Sequence, residues 1–157
     1  LNPAFTEKYE GFNHITEFKG ECENAYMEYI IRNHDELLFN KQKEYFIKTA
    51  EFLNYKYGNV FEVQIKDSYF NMRKIIEKDM TVVNIAMEAM NDIGLNPVVE
   101  PIRGGTDGAR LTYCGLPCPN IGTGGYNFHG KYEFLSIDEM DKSVELLVKI
   151  LSKAIQY

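Results

Sequence analysis

The sequence predicts an α+β / α/β chain: an antiparallel sheet carrying one helix, followed by a stretch in which strands and helices alternate. Three observations point to it. Aromatic and β-branched residues gather in two runs before residue 35. Apolar residues at helical spacing fill 36–57. Beyond residue 70, glycines and prolines punctuate shorter apolar runs.

Taken in order, 9–19 and 21–33 are expected to pair as strands. Tyr9, Phe12, Ile15 and Phe18 sit among polar residues, and Lys19-Gly20 offers turn chemistry. The second run, Ala25 to Ile31, is rich in aromatic and β-branched residues. Asp35 has the chemistry of an N-cap. It opens a helix over 36–57 whose face carries Leu38, Tyr45, Phe46, Thr49, Phe52 and Leu53, and Gly58 closes it. Phe61, Val63 and Ile65 alternate with Glu62, Gln64 and Lys66, as in a half-buried strand. The first 70 residues thus predict β-β-α-β.

Helices are expected over 72–78 and 81–93, with Val82, Ile85, Ala86 and Ala89 on one face and Gly94 as the stop. Val98-Val99 and Pro119-Asn120-Ile121 suggest short strands. Thr106 or Asp107 can cap a short helix running to Cys114. Residues 138–156 form an amphipathic helix through Met140, Val144, Leu147, Val148 and Leu151. The character of the chain changes near 68–80.

Composition excludes several functions. Lys and Arg total 17 against 23 Asp and Glu, giving a net charge of −6 and a pI near 5.1. Such a balance predicts no nucleic-acid partner, because neutralising phosphates requires clustered cations. No stretch approaches the roughly 20 apolar residues of a membrane span, so no membrane partner is expected. The opening Leu1-Asn2-Pro3 has no signal-peptide pattern. Cys22, Cys114 and Cys118 lack a disulfide or redox spacing and predict free thiols in a cytoplasmic protein. A chain opening on Leu1 is expected to be a piece of a longer one.

Chemistry-bearing residues are few. The sequence holds three histidines and no His-x-Asp, Glu-Glu or His-Glu-x-x-His pattern. His129 stands apart, because it lies in the glycine-rich stretch Thr123 to Lys131. It is either a loop imidazole bonded to a carbonyl or part of a site. One histidine does not make a zinc site. Arg103, Gly104, Gly105, Thr106 and Asp107 offer a tight turn with a helix cap, or an anion site with an arginine beside it. Arg32, at a strand end, is a rim cation or a ligand group.

Arg103-Gly-Gly-Thr-Asp-Gly-Ala, Gly-Leu-Pro-Cys-Pro-Asn (115–120) and Thr-Gly-Gly-Tyr-Asn-Phe-His-Gly-Lys (123–131) together resemble the peptidase T family. This is the aminotripeptidase branch of the dizinc aminopeptidase/aminoacylase superfamily. The similarity continues backward through Asp67-Ser-Tyr-Phe-Asn-Met-Arg73, Tyr29-Ile-Ile-Arg32 and Tyr9-Glu-Gly-Phe12, and so covers nearly the whole chain. It implies that 1–72 are the later part of a lid, or dimerisation, domain. Residues 73–157 would then be the C-terminal α/β segment of a zinc exopeptidase catalytic domain.

The resemblance further implies two zinc ions per complete active site. They would lower the pKa of a bridging water, with a glutamate as the general base. His129 would supply one metal ligand. Arg32 would hold the tripeptide's carboxylate, and Arg103, Gly104, Gly105, Thr106, Asp107 and Asn71 would lie on the substrate side. The remaining metal ligands and the base have no counterpart in this sequence, so no catalytic residue is assigned and the chain alone is expected to be inactive. A homodimer through the lid is a further expectation. The competing readings are a non-catalytic binding or dimerisation module, and a related aminoacylase or dipeptidase.

Overall fold

The computed structural model describes residues 2–156. Leu1, the expected cut within a longer chain, lies outside them. The protein is an α+β mixture of helices and two separate two-stranded antiparallel sheets. It divides into two compact units. One comprises residues 1–68 with Glu100–Gly104, and the other Tyr69–Val99 with Gly105–Tyr157.

In the first unit, strands β1 (Phe12–Gly20) and β2 (Ala25–Arg32) form a hairpin. The turn lies one step later than the Lys19-Gly20 pair suggested: Gly20 still pairs with Ala25, and the Glu21 N–H donates to the Asn24 carbonyl at 2.8 Å. Strand β1 also starts later than Tyr9. Between Ile15 and Glu17 the register slips, so that Thr16 forms a bulge. Its hydroxyl donates to the Glu28 carbonyl at 3.3 Å.

Helix α1 (Glu36–Tyr57) begins as expected, with the Asp35 carboxylate accepting from the Leu38 N–H at 2.9 Å. It ends at Gly58, whose φ of 88° suits a residue without Cβ. The helix is fastened to the hairpin by a polar bridge. Asn33 donates to Gln42, and Gln42 donates to Asn13, each at 2.9 Å. The Phe46 ring meets Tyr29 edge-on at 5.0 Å.

The strand expected at 61–65 does not form. Asn54 explains why. Its side-chain oxygen accepts from the N–H groups of Val60 and Phe61, and its amide donates to the Phe61 carbonyl. Backbone groups that would start a ladder are already occupied, and no second strand supplies the rest among the described residues. Phe61, Val63 and Ile65 stay about 40% exposed. The expected strands at Val98-Val99 and 119–121 are likewise absent, since periodicity without a hydrogen-bonded neighbour makes no strand.

In the second unit, α2 (Arg73–Ile76) is shorter than expected. Helix α3 (Thr81–Asp92) stops before Gly94, which takes φ 77°. Helix α5 (Ile137–Ala154) packs on α3. Ile85, Ala86 and Ala89 face inward from α3 and Leu146 from α5. Ala89 is fully buried, and its small side chain lets the two helices approach. Lys149 and Lys153 of α5 reach Asp92, and Lys153 also reaches Glu88, across the exposed margin of this pair. Helix α4 (Asp107–Tyr113) and the ladder of β3 (Gly125–Tyr126) with β4 (Phe134–Leu135) complete the unit. No helix is long and apolar enough to cross a membrane among the described residues.

Candidate functional site

The glycine-rich loop folds back on itself between β3 and β4. Gly125 pairs with Leu135 and Tyr126 with Phe134, the two rings stacking 4.9 Å apart. The Tyr126 hydroxyl donates to Glu139 at 2.8 Å. This bond, and then the carboxylate's charge, hold the phenol above its ordinary pKa, so it remains a donor. Gly124 passes so close to α5 that a Cβ there would lie 2.5 Å from Glu139 Cβ. The loop is therefore tied to the start of α5, where Ser136 caps the helix.

Within the loop, Asn127 and His129 both take left-handed backbone, with φ 54° and 64°. For a residue with a Cβ this costs on the order of 1–2 kcal/mol. The Gly130 N–H donates to the Asn127 carbonyl at 3.2 Å, and the Asn127 amide donates to the Tyr132 carbonyl at 3.3 Å. The His129 N–H donates to Glu133 Oε2 at 2.8 Å. The imidazole is exposed, and no hydrogen bond is made to it among the described residues. It is thus presented at the loop tip, not folded onto a carbonyl. No group of at least three His, Cys, Asp or Glu residues suited to a metal occurs among the described residues. His129 fits zinc by donor type as one ligand, and the described residues do not complete a site.

Gly105, Thr106, Asp107 and Asn71 belong to the same unit as His129. Thr106 is the cap of α4. Its hydroxyl oxygen accepts from the Ala109 N–H at 3.2 Å and from the Asn120 amide at 3.3 Å. Two glycines here permit close approach. A Cβ on Gly105 would strike the Tyr69 ring at 2.2 Å, and one on Gly108 would lie 2.6 Å from the Cys118 carbonyl oxygen. Asn71 caps locally, accepting from the Arg73 N–H at 3.0 Å, while its carbonyl accepts from the Tyr113 hydroxyl at 3.1 Å.

Arg32, Arg103 and Gly104 belong to the other unit. Arg32 ends β2 opposite Phe12 and is half-buried. Arg103 lies over the face of the buried Phe12 ring, its guanidinium carbon 5.2 Å from the centroid. Its fork donates to the Thr6 carbonyl, to the Thr6 hydroxyl at 2.6 Å and to the Glu10 carbonyl at 3.4 Å. Half-buried His34, edge-on to Tyr9 at 5.2 Å, is held below its ordinary pKa by desolvation and then by the Arg103 charge. Sequence reasoning missed Thr6, Glu10 and His34 as the surroundings of Arg103. It also missed Glu133 behind His129, although a carboxylate four residues after a loop histidine was visible. The cysteines are free, with Cys118 half-buried.

No protein-family model matches the chain. It is similar to curated proteins named peptidase T. It is 54% identical over 150 residues to the one from Caldanaerobacter subterraneus subsp. tengcongensis, covering 95% of this chain and 37% of that protein. It is 53% identical over 150 residues to the one from Bacillus pumilus, with the same coverage. To that of Streptococcus thermophilus it is 46% identical over 152 residues, covering 96% of this chain and 37% of that protein. The chain thus spans little more than a third of the length of these relatives. It resembles a portion of peptidase T, in keeping with the C-terminal portion that the motifs implied.

Proposed function

We propose that this chain is the C-terminal portion of a zinc-dependent aminotripeptidase that releases the N-terminal residue of tripeptides. The observation that carries the reading is its similarity to peptidase T along 95% of its length, motif loops included. In this reading residues 1–72 are the later part of a lid and 73–157 the closing segment of a cytoplasmic catalytic domain.

His129 would be one ligand of a two-zinc centre, and its exposed, unbonded imidazole supports that role. Zinc, when bound, supplies Lewis-acid polarisation of the scissile carbonyl. Arg32 would bind the substrate carboxylate with its planar fork. The backbone of Gly104, Gly105, Thr106 and Asp107, with Asn71, would line the substrate side. Arg103, bonded to Thr6 and Glu10, would hold the start of that segment in place. The general base would come from outside this chain.

The chain by itself should hydrolyse no tripeptide and hold no stoichiometric zinc. Supplied with the remaining part of a peptidase T relative, it should gain both properties, and His129→Ala should abolish them. Tight zinc and hydrolysis by the chain alone would sink this reading. A second reading, pairing through the lid as a homodimer, is favoured by the half-exposed alternation of Phe61, Val63 and Ile65, which has no ladder partner among the described residues. Sedimentation showing a monomer at all concentrations would rule it out.

A further inference from the structure

We infer that Glu133 is the positioning residue for His129, holding its backbone in the left-handed conformation that presents the imidazole. The inference rests on the reading of His129 as a metal ligand. Left-handed backbone is uncommon for a residue with a Cβ, and φ 64° at His129 carries a cost that its surroundings offset. The bond that fixes the His129 amide itself is the one to Glu133 Oε2, at 2.8 Å. An ionised acceptor makes this among the stronger hydrogen bonds available to a backbone N–H.

Glu133 is well placed to impose a conformation, because it is itself fixed twice. Its own N–H donates to the Gly130 carbonyl at 3.0 Å. The next residue, Phe134, is already in the β3–β4 ladder, stacked on Tyr126. The carboxylate therefore projects from a tethered frame back across the turn. Gly130 serves the same turn, since a Cβ there would lie 3.2 Å from the Asn127 carbonyl oxygen. Because Glu133 engages the His129 backbone, both imidazole nitrogens stay available. A clamp on the ring would have occupied one of them.

The test uses nuclear magnetic resonance of the whole chain without metal. In Glu133→Ala, amide-proton exchange at His129 should accelerate about tenfold or more, the scale of losing one charge-assisted bond. Its Cα and Cβ shifts should leave the left-handed range. Glu133→Asp, one methylene shorter, should do the same. Glu133→Gln keeps an accepting oxygen and should stay within about threefold of the parent. Protected amides at Ala89 and Leu146 would show that the unit remains folded. Unchanged His129 exchange and shifts in both the Ala and Asp variants would overturn the inference. Zinc binding separates this from the functional reading. On titration with Zn²⁺ alone, the His129 ring signals should move first among the three imidazoles, and more weakly in Glu133→Ala. If the exchange results hold but His129→Ala leaves zinc bound once the chain is supplied with the remaining part of a peptidase T relative, the ligand role falls while the clamp stands. If Glu133→Ala weakens Zn²⁺ binding without altering the His129 backbone, Glu133 is a ligand and the clamp is wrong.

Discussion

Protonating His34 would place a charge in a partly desolvated corner and, as the smaller effect, in the field of Arg103. The folded chain therefore takes up that proton at lower pH than the unfolded chain, whose histidine titrates near 6.5. Below 6.5 the unfolded state binds more protons, so stability falls with falling pH until the lowered folded pKa is passed; above 6.5 this contribution is constant. Arg103→Met should move the His34 titration, read from its ring proton, back toward 6.5. The same variant leaves the Thr6 carbonyl and hydroxyl without their donor and should cost about 1–3 kcal/mol at neutral pH. An unmoved His34 titration would show that Arg103 does not act on it. At this scale the sequence was only half legible. Arg103 was visible as a donor, but its acceptors lie 93 and 97 residues away, and nothing local announces them. His129 was visible because glycines crowd it, whereas the role of Glu133 became clear only with the loop closed.

Elements were most legible where their signals were local. Asp35, Thr106 and Gly94 act within a few residues of themselves, and the helices they bound appear where the pattern placed them. The segments 61–65, 98–99 and 119–121 failed because a strand is made by its neighbour, which periodicity does not reveal. Gly108 shows a tertiary demand of a different kind. It is the second residue of α4, where alanine would ordinarily be the better helix former. Gly108→Ala should nonetheless destabilise the protein by about 1–3 kcal/mol, because the new methyl would press on the Cys118 carbonyl 2.6 Å away. Thermal denaturation would measure it, and a gain in stability would mean that the 118–120 segment yields freely.

Across the whole molecule, the buried apolar core formed by the described residues is small and unequally shared. Ile76, Ile85, Ala86, Ala89, Ala109 and Leu146 are buried in one unit, and Phe12 in the other. Leu146→Ala should cost about 2–5 kcal/mol, a large part of a typical domain's stability. Native-state hydrogen exchange should locate the loss in α3 and α5 and leave protection of the β1–β2 ladder unchanged. A uniform loss over both units would show that they unfold as one. That Glu100–Gly104 belongs with residues 1–68 was not legible in the sequence, because it depends on where one arginine reaches. That reach has a consequence for how the protein is born. Ribosomes add residues at roughly 5–20 per second, so Thr6 waits on the order of 5–20 s before Arg103 is synthesised. Through that interval the nascent hairpin carries an uncovered Phe12 ring and unanswered carbonyls at Thr6 and Glu10. The segment around Thr6 therefore leaves the ribosome well before the residue that fastens it exists.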